Sequence, residues 1–515
     1  MYMHGHEKSD SFIVPRNLLN KCGDNKPQAE MGEGRNGLME NMKQTDIHRT
    51  PSRTKTRGCG CAAVSGERMS SPAKGMSPGL LRVRKAAMED KQIRFTALLH
   101  HITPETLKRS YYALKKQAAP GVDGCTWGEY QSNLTDRLED LHARVHKGTY
   151  RAQPSRRVYI PKPDGAKRPL GIAALEDKIV QQALTEVLTA IYETDFYGFS
   201  YGFRPSKGSH DALDALYVAI EKKKVNWVLD ADIQGFFDSI SHEWMLRFLG
   251  HRIADKRVLR LIGKWLKAGV VENDAVRSTP VGTPQGAVIS PLLANVYLHY
   301  VLDDWVVWWR RQYATGDVII VRYADDFVMG FQHKHEAESF LEALRARLSA
   351  FALSLHPEKT RLIEFGRSAA SNRRERGEEK PATFDFLGFT HICGVRRKDR
   401  KYKILRLVSR KRMGATLSRF KRTLLAKMHD EIEDVGNWLR RAVQGYYNYF
   451  AVPDNTKRLM SFRNALCRIW YRVLRRRSQK GRMKWDVFNK RAMCWLPTPV
   501  ILHPYPSVRF GARYP

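Results

Sequence analysis

The stretch from Val318 to Gly330 constrains the fold of this chain more than any other, because it sets two adjacent carboxylates between two apolar runs. Such a pattern predicts a hairpin with Asp325 and Asp326 at or beside its turn. A turn can hold aspartate only for local hydrogen bonds to its backbone. Adjacent carboxylates repel each other, however, and placing them between buried strands is costly unless a cation neutralises them. The stretch therefore indicates a cation site at the end of a β-hairpin.

A second short run presents acids in the same way. The side chains of a strand from Trp227 to Ile233 would alternate between two faces, so Asp230 and Asp232 share one face while apolar residues pack the other. Mg²⁺ prefers carboxylate oxygens, keeps part of its water shell and takes further ligands from substrate phosphates. Two such ions about 3.5–4 Å apart can activate a 3′-hydroxyl and stabilise a leaving pyrophosphate. The two acid-bearing strands together predict a divalent-metal site.

The charge balance indicates what such a site would act on. The chain has 88 Lys and Arg against 53 Asp and Glu, a formal charge of +35, which attracts an extended polyanion such as nucleic acid. An anionic membrane surface is the main alternative, but no apolar run approaches the ~20 residues of a spanning helix. The N-terminus lacks the apolar core of a signal peptide, and seven scattered cysteines are typical of a reducing compartment. We therefore expect a cytoplasmic protein that binds nucleic acid and no membrane.

Composition divides the chain into four segments. Residues 1–80 mix Gly, Ser, Pro and Lys without a period, which predicts a disordered N-terminal extension. From 81 to 390, β-rich runs alternate with amphipathic helices, as expected for an α/β or α+β body. Residues 391–477 are predicted to form a helical domain, and 478–515 a basic, proline-containing tail without regular structure.

Much of the positive charge lies late in the chain. Residues 391–490 hold 28 Lys and Arg against seven Asp and Glu, which is +21 of the total +35. Within this range Leu417 and Phe420 lie near helical spacing with Arg419 and Arg422 around them, which predicts a helix with an apolar seam and a basic exterior. Aromatic residues nearby favour a helical domain that faces nucleic acid over an ordinary bundle helix.

Seven blocks of sequence occur in an order that is similar to one known family, the reverse transcriptases encoded by group II introns. The blocks are Ile160–Gly165 with Lys167–Ile172, Tyr201–Pro205, Asp232–Asp238, Gly282–Gly286 with Ser290-Pro291, Tyr323–Asp326, His356–Thr360 and Phe386–Phe389. The resemblance covers roughly residues 90–475. It implies an α+β right-hand polymerase fold. Fingers and a palm, whose antiparallel sheet carries the catalytic aspartates, would occupy residues 81–390, and an α-helical thumb and maturase domain that binds RNA would occupy 391–477.

The resemblance also implies the metal site. Its positions in this sequence are Asp232, Asp325, Asp326 and Ile233. The metal would be Mg²⁺, two ions in each active site, with Mn²⁺ as a substitute. Asp230 shares the predicted face of Asp232 but lies outside the family positions, so we expect a supporting role for it.

Further roles follow from the same resemblance. Lys359 matches a general acid for pyrophosphate, and Phe237 matches a steric gate that excludes a ribose 2′-hydroxyl. Positions that bind the incoming nucleotide or approach the nascent base pair are Lys162, Arg168, Gln285 and Gly286. The segment Phe386-Leu387-Gly388 resembles the primer grip. Without the resemblance, the same residues would pass for a solvated basic hairpin, a core phenylalanine and an ordinary buried strand with a glycine bulge.

The implied activity is RNA-directed DNA synthesis joined to a maturase role. The expected partners are group II intron RNA, an RNA template with a DNA primer, dNTPs and target DNA, in the bacterial cytosol or at the nucleoid. Many relatives end in an endonuclease domain with paired cysteines and histidines, whereas Cys467, Cys494 and His503 stand apart from one another here. We therefore expect the branch without that domain, which must extend a DNA 3′ end that it did not cut.

Three alternatives remain open at this stage. The chain could be a reverse transcriptase adapted to phage defence or to CRISPR spacer acquisition, although the segment around Trp438 to Phe450 favours a maturase domain. It could be a splicing factor with an inactive polymerase, against which the intact aspartates weigh. It could also be an RNA-dependent RNA polymerase, against which Tyr323-Ala324 and the candidate gate at Phe237 weigh.

Overall fold

The computed structural model describes residues 76–161, 167–283, 285–396, 398–477 and 483–513. The predicted disordered extension therefore lies outside the described residues as far as residue 75, and so does the predicted site residue Lys162. Among the described residues, the first helix begins slightly before the predicted boundary at residue 80, since Ser77 caps it and Pro78 occupies its first position.

The α-helices of the described residues, in chain order, are α1 (Pro78–Glu89), α2 (Pro104–Ala113), α3 (Trp127–Gln131), α4 (Leu134–Lys147), α5 (Leu175–Asp195), α6 (Ser209–Lys222), α7 (Phe236–Ser239), α8 (His242–Gly250), α9 (Lys256–Lys267), α10 (Ser290–Leu298), α11 (Asp304–Tyr313), α12 (Lys334–Ser349), α13 (Ala369–Glu375), α14 (Arg410–Ala426), α15 (Ile432–Phe450), α16 (Thr456–Arg475), α17 (Trp485–Ala492) and α18 (Pro506–Arg513). A 3-10 turn covers Leu99–His101, and a π-helical turn, His299–Asp303, joins α10 to α11. None of these helices is both long and apolar enough to cross a membrane.

The strands are β1 (Ser155–Pro161), β2 (Lys167–Ile172), β3 (Trp227–Ala231), β4 (Val270–Glu272), β5 (Ala275–Arg277), β6 (Val318–Tyr323), β7 (Asp326–Phe331), β8 (Arg361–Glu364), β9 (Phe384–Phe386), β10 (Phe389–Val395) and β11 (Tyr402–Val408). They form three sheets, with strand orders β2-β1-β4-β5, β6-β7-β3-β8 and β11-β10-β9.

The sheet β6-β7-β3-β8 carries both acid-bearing runs, and all of its strand pairs are antiparallel. Helix α6 covers one face, where Leu213 and Leu216 share a core with Val228 and Val328. Helix α12 packs against β3 and β7. A strand covered on both faces reads as a continuous apolar run, which is why β6 and β7 are almost uniformly buried. The predicted α+β fold class is confirmed.

The predicted helical domain starts later than residue 391. That boundary falls inside β10, which pairs with β11 over seven residues, so the first helix of the region, α14, begins only at Arg410. The run from Tyr402 to Val408 alternates between buried and half-buried residues, a strand pattern that the high density of Lys and Arg concealed. In α14 itself Phe420 is buried while Arg419 and Arg422 are exposed, as predicted.

The tail was predicted to lack regular structure, and this prediction was wrong. Two helices, α17 and α18, lie beyond residue 483. Phe488, Ala492 and Leu496, spaced four residues apart, are buried in the same core as α15 and α16. The buried residues follow helical spacing. The prolines do not interrupt either helix, because they lie between the two helices and at the start of α18, where proline is tolerated.

Candidate active site

The two adjacent carboxylates lie at the turn of the β6–β7 hairpin. Tyr323 pairs with Asp326, so the turn consists of Ala324 and Asp325 alone. Ala324 has φ +58, a left-handed conformation that is uncommon for a residue with a side chain. Asp325 is half-buried and Asp326 is exposed at the edge of the sheet. The hairpin predicted from the two apolar runs is therefore present.

The register of β3 brings the second acidic run to the same edge. Ala231 pairs with Phe327, so the next residue, Asp232, follows beside the first residue of β7. The backbone of Asp232 is held from the other side, because its carbonyl accepts a hydrogen bond from the His356 N–H at 2.8 Å. Asp230 pairs across strands with Arg361, whose Nη2 donates to Asp230 Oδ2 at 3.2 Å. The structure thus brings together the three aspartates among the predicted metal ligands, and Asp230 forms an ion pair with Arg361.

The carboxylates influence one another electrostatically. Although Asp326 is exposed as a residue, its carboxyl group lies close to surrounding protein atoms, and this local burial, followed by the charges of Asp325 and Asp232, raises the pKa of Asp326 to about 7. Burial also raises the pKa of Asp325, with the charge of Asp232 adding to the effect. Lys359, exposed just before β8, donates from Nζ to Asp232 Oδ2 at 2.7 Å. Lys359 therefore offsets part of the negative charge that the aspartates bring together.

This donor set fits a divalent cation that retains other ligands. Among the described residues, no three or more His, Cys, Asp and Glu side chains are grouped closely enough to form a metal cage by themselves. Mg²⁺ does not need such a cage, since one or two carboxylates hold it while water and substrate phosphates complete its shell. Burial first, and then the charges of neighbouring aspartates, raise the pKa of both Asp325 and Asp326, and a bound cation would favour their charged forms.

The candidate steric gate lies on the loop that follows β3. Gly235 turns the chain with φ +54, and α7 then begins with Phe236 and Phe237. Phe236 is buried at 3% exposure, whereas Phe237 is half-buried and packs edge-on against it with ring centroids 5.4 Å apart. The structure therefore assigns the core role to Phe236 and leaves the ring of Phe237 accessible.

The loop that carries Gln285 and Gly286 packs against the β1–β2 hairpin. The Gly171 N–H donates to the Gln285 carbonyl at 2.6 Å, and a Cβ at Gly286, which has φ +109, would meet the Gly171 carbonyl oxygen at 2.8 Å. Arg168, on the same hairpin, lowers the pKa of Asp325, although burial outweighs it. The basic hairpin and the Gln285 loop thus adjoin the aspartates, and Lys162 and Pro284 lie outside the described residues.

The predicted primer-grip segment forms the turn between β9 and β10. Phe386 pairs with Phe389, and the two turn residues, Leu387 and Gly388, have φ of +48 and +83. This is a two-residue hairpin turn and not the glycine bulge of the alternative interpretation. The Tyr449 hydroxyl of α15 donates to the Leu387 carbonyl at 2.8 Å. The turn is therefore tied to the helical domain.

Sequence reasoning missed the residues that support the β6–β7 turn. One of them is Arg322, which is fully buried in β6. A charged residue within an apolar run was the signal in the sequence that could have identified it. Gly202 lies so close to the turn that an added Cβ would be 2.3 Å from the Ala324 nitrogen. The block Tyr201–Pro205 had carried a family resemblance but no assigned task.

Comparison with known proteins gives four findings. Residues 160–391, a range that includes every predicted site residue, match the family described as reverse transcriptase (RNA-dependent DNA polymerase). Protein YkfC of Escherichia coli (strain K12) is 35% identical over 312 residues, which is 54% of this chain and 81% of YkfC. The group II intron-encoded protein LtrA of Lactococcus lactis subsp. cremoris is 36% identical over 230 residues, which is 44% of this chain and 38% of LtrA. An uncharacterised 91 kDa protein in the cob intron of Schizosaccharomyces pombe is 43% identical over 197 residues, or 38% of this chain and 24% of that protein. The chain thus spans most of YkfC and less than half the length of the two intron proteins.

Proposed function

Because this chain belongs to the family of reverse transcriptases encoded by group II introns, we propose that it extends a DNA 3′ end by copying RNA and that Asp232, Asp325 and Asp326 hold the divalent metal. The observation that carries this proposal is the meeting of β3 with the β6–β7 turn at one sheet edge. Mg²⁺ bound there would activate the 3′-hydroxyl and stabilise the leaving pyrophosphate. The backbone carbonyl of Ile233, next to Asp232, is a further proposed ligand.

Other residues near the proposed metal site would bind the substrates or transfer a proton. Arg168 on β2 offers a charge-assisted contact to the incoming triphosphate. Lys359, already hydrogen-bonded to Asp232, is within the carboxylate site and is our candidate for the proton donor to pyrophosphate. The Gln285 loop, held by β2, would contact the nascent base pair. The Leu387-Gly388 turn would hold the primer, with Tyr449 linking it to α15.

The positions of these elements around the aspartates fit the right-hand arrangement of a polymerase, with fingers, palm and thumb. The sheet β6-β7-β3-β8 would be the palm, the β1–β2 hairpin would belong to the fingers, and α14–α16 would form the thumb. In this arrangement the fingers deliver the dNTP and the thumb grips the RNA–DNA duplex.

The helical region also has the surface expected of a maturase. The outer face of α14 exposes Arg419, Lys421 and Arg422. A cleft of about 530 Å³ between α15 and the segment after α17 is lined by Arg440, Arg441, Gln444, Gly445, Asn448, Cys494 and Pro497. RNA is held largely through phosphates, 2′-hydroxyls and stacked bases, so exposed guanidinium groups of this density are suited to intron RNA.

The direct test is primer extension by the purified chain. We expect DNA synthesis from a DNA primer on an RNA template with Mg²⁺ and dNTPs, and none after chelation by EDTA. Synthesis supported by rNTPs alone would favour the RNA polymerase alternative. Retention of synthesis with no measurable preference for intron RNA would favour a reverse transcriptase adapted to another task.

Replacing Phe237 by Val should admit ribonucleotides, because the ring would act by excluding the 2′-hydroxyl. Primer extension with rNTPs alone measures this gain, and dNTP incorporation should persist. The matched control is Phe236→Val, whose buried ring supports the core, so it should lower stability by roughly 1–3 kcal/mol without admitting rNTPs. If Phe237→Val kept its dNTP activity and gained no rNTP incorporation, the gate would have to be another residue.

Replacing Gly286 by Ala should slow nucleotide incorporation, because its backbone conformation and the nearby Gly171 carbonyl leave no room for a Cβ. Strain of this kind costs on the order of 1–3 kcal/mol, and each ~1.4 kcal/mol corresponds to tenfold in rate. If this strain acts on the nucleotide site, single-nucleotide kinetics should show a loss of about 5-fold to 150-fold in kcat/KM for dNTP. Gly128→Ala on α3, where a Cβ meets open space, is the control and should behave as wild type. An unchanged kcat/KM in Gly286→Ala would remove the loop from the nucleotide site.

A further inference from the structure

Arg322 is a fully buried cation on β6, an outer strand of the catalytic sheet. It is the second-to-last residue of β6, and its side chain is 0% exposed. Its Nε donates to Asp303 Oδ1 at 2.8 Å, and its Nη2 donates to the other oxygen of the same carboxylate, which is also 0% exposed. Burying such a pair is costly unless its geometry is good and its remaining hydrogen bonds are made. The rest of the guanidinium should therefore have a partner too.

That partner is the catalytic turn. Arg322 Nη1 donates to the Ala324 carbonyl oxygen at 3.0 Å and to Asn295 Oδ1 at the same distance. Ala324 is the turn residue with φ +58, and it directly precedes Asp325. A non-glycine residue keeps such a conformation only where its surroundings impose it. The Arg322 guanidinium therefore bridges the buried carboxylate of Asp303 and the carbonyl of Ala324 in the turn.

The segment Tyr201-Gly202 packs against the same turn from another side. The Tyr201 N–H donates to the Arg322 carbonyl at 2.9 Å, and Asn295 Nδ2 donates to the Gly202 carbonyl at 2.8 Å. Gly202 then passes so close to Ala324 that a Cβ there would be 2.3 Å from the Ala324 nitrogen. Asn295 therefore contacts both Arg322 and the glycine segment.

We propose that Arg322 is a positioning residue for the catalytic aspartates, which holds Ala324 in its left-handed conformation between the Asp303 carboxylate and the Gly202 segment. This rests on the proposed function of Asp325 and Asp326 as metal ligands. This gives the block Tyr201–Pro205 a structural role, because Gly202 has no side chain and can therefore pack directly on the backbone of Ala324. Asp303 ends the π-helical turn between α10 and α11, a distortion that is frequently found at functional sites.

The planar fork of arginine suits this task and an ammonium group does not. Arg322 contacts a carboxylate, an amide oxygen and a main-chain carbonyl at once, in directions that a rigid guanidinium presents and that a lysine cannot reproduce. Lysine at this position would keep the buried charge and lose the contact to the turn. Arg322→Lys therefore separates positioning from charge.

The test compares Arg322→Lys with Arg252→Lys. Arg252 is also buried, pairs with Asp195 at 3.0 Å and donates to the carbonyls of Ala87 and Asp90, away from the turn. A misplacement of about 1 Å can cost about 100-fold in rate, so kcat of Arg322→Lys for dNTP should fall about tenfold to 100-fold, with the dissociation constant for primer–template unchanged. Arg252→Lys should lose thermal stability to a similar extent and keep its kcat. If both variants keep the wild-type kcat per folded molecule, Arg322 is merely structural and the proposal is overturned.

Two further measurements make the test specific. Adding Ala324→Gly to Arg322→Lys should restore part of kcat, because glycine adopts the left-handed conformation without strain; no recovery would count against the proposal. Mn²⁺ binding to the free protein, followed by electron paramagnetic resonance, should be weaker in Arg322→Lys and unchanged in Arg252→Lys. Equal Mn²⁺ binding in both would also count against it. Absence of DNA synthesis by the wild-type chain would instead contradict the proposed function.

Discussion

Asp325→Asn and Asp326→Asn are each expected to reduce cDNA synthesis on a primed RNA template by at least about 1,000-fold, while RNA binding stays close to wild type. Removing one carboxylate takes away metal-dependent stabilisation worth several kcal/mol, and each ~1.4 kcal/mol is tenfold in rate. Asn has nearly the same volume, so packing at the hairpin should be kept. Single-turnover primer extension with excess enzyme measures the rate, and filter binding of the primer–template measures the affinity.

The control for these variants is Asp230→Asn, on the strand that also leads to Asp232. Asp230 is neutralised by Arg361 and lies outside the proposed ligand set, so its replacement should slow synthesis far less than Asp232→Asn. Extension at the wild-type rate by Asp325→Asn would contradict the metal-ligand assignment. Equal losses in Asp230→Asn and Asp232→Asn would extend the ligand set to the whole face of β3.

The double charge reversal Arg419→Glu with Arg422→Glu should weaken intron RNA binding and assisted splicing. Both side chains are exposed on α14 beside the buried Phe420, so the change alters the surface and spares the core. Each lost phosphate contact reduces the slope of log K against log salt by about 0.7–0.9, so loss of two contacts should make the variant's slope shallower by about 1.4–1.8. Affinity for intron RNA, measured by filter binding over a series of salt concentrations, gives that slope directly.

The matched control reverses two cations elsewhere. Lys334→Glu with Arg345→Glu on α12 makes the same change in net charge on an exposed helix of the catalytic body. It should leave intron RNA affinity nearly unchanged. The α14 variant should retain catalysis on a saturating primer–template, with some loss of processivity because the thumb also grips the duplex. Intron RNA affinity equal to wild type at both low and high salt would shift the RNA-binding role away from α14.

The local pattern of the sequence was enough to predict the acidic edge of the sheet. Strand side chains alternate with a period of two, so Asp230 and Asp232 had to share a face, and two apolar runs around Asp325 and Asp326 had to form a hairpin. The basic face of α14 follows in the same way from a period of 3.6. These features depend on residues within one or two turns of one another, and the structure agrees with each.

Contacts between distant segments could not be predicted in this way. Asp303 meets Arg322 across 19 residues, Asn295 meets Gly202 across 93, and Arg406 meets Asp214 across 192. The docking of α17 and α18 on the earlier helices, and the pairing that carries β10 past residue 391, depend equally on where other elements lie. The sequence around a buried charged residue, or around a glycine that packs closely on another segment, does not indicate which distant residue it contacts. The sequence by itself therefore determined which carboxylates β3 and the β6–β7 hairpin each present. Only the tertiary structure decided that these two elements meet and what holds the turn in place, because both depend on contacts between segments that folding alone brings together.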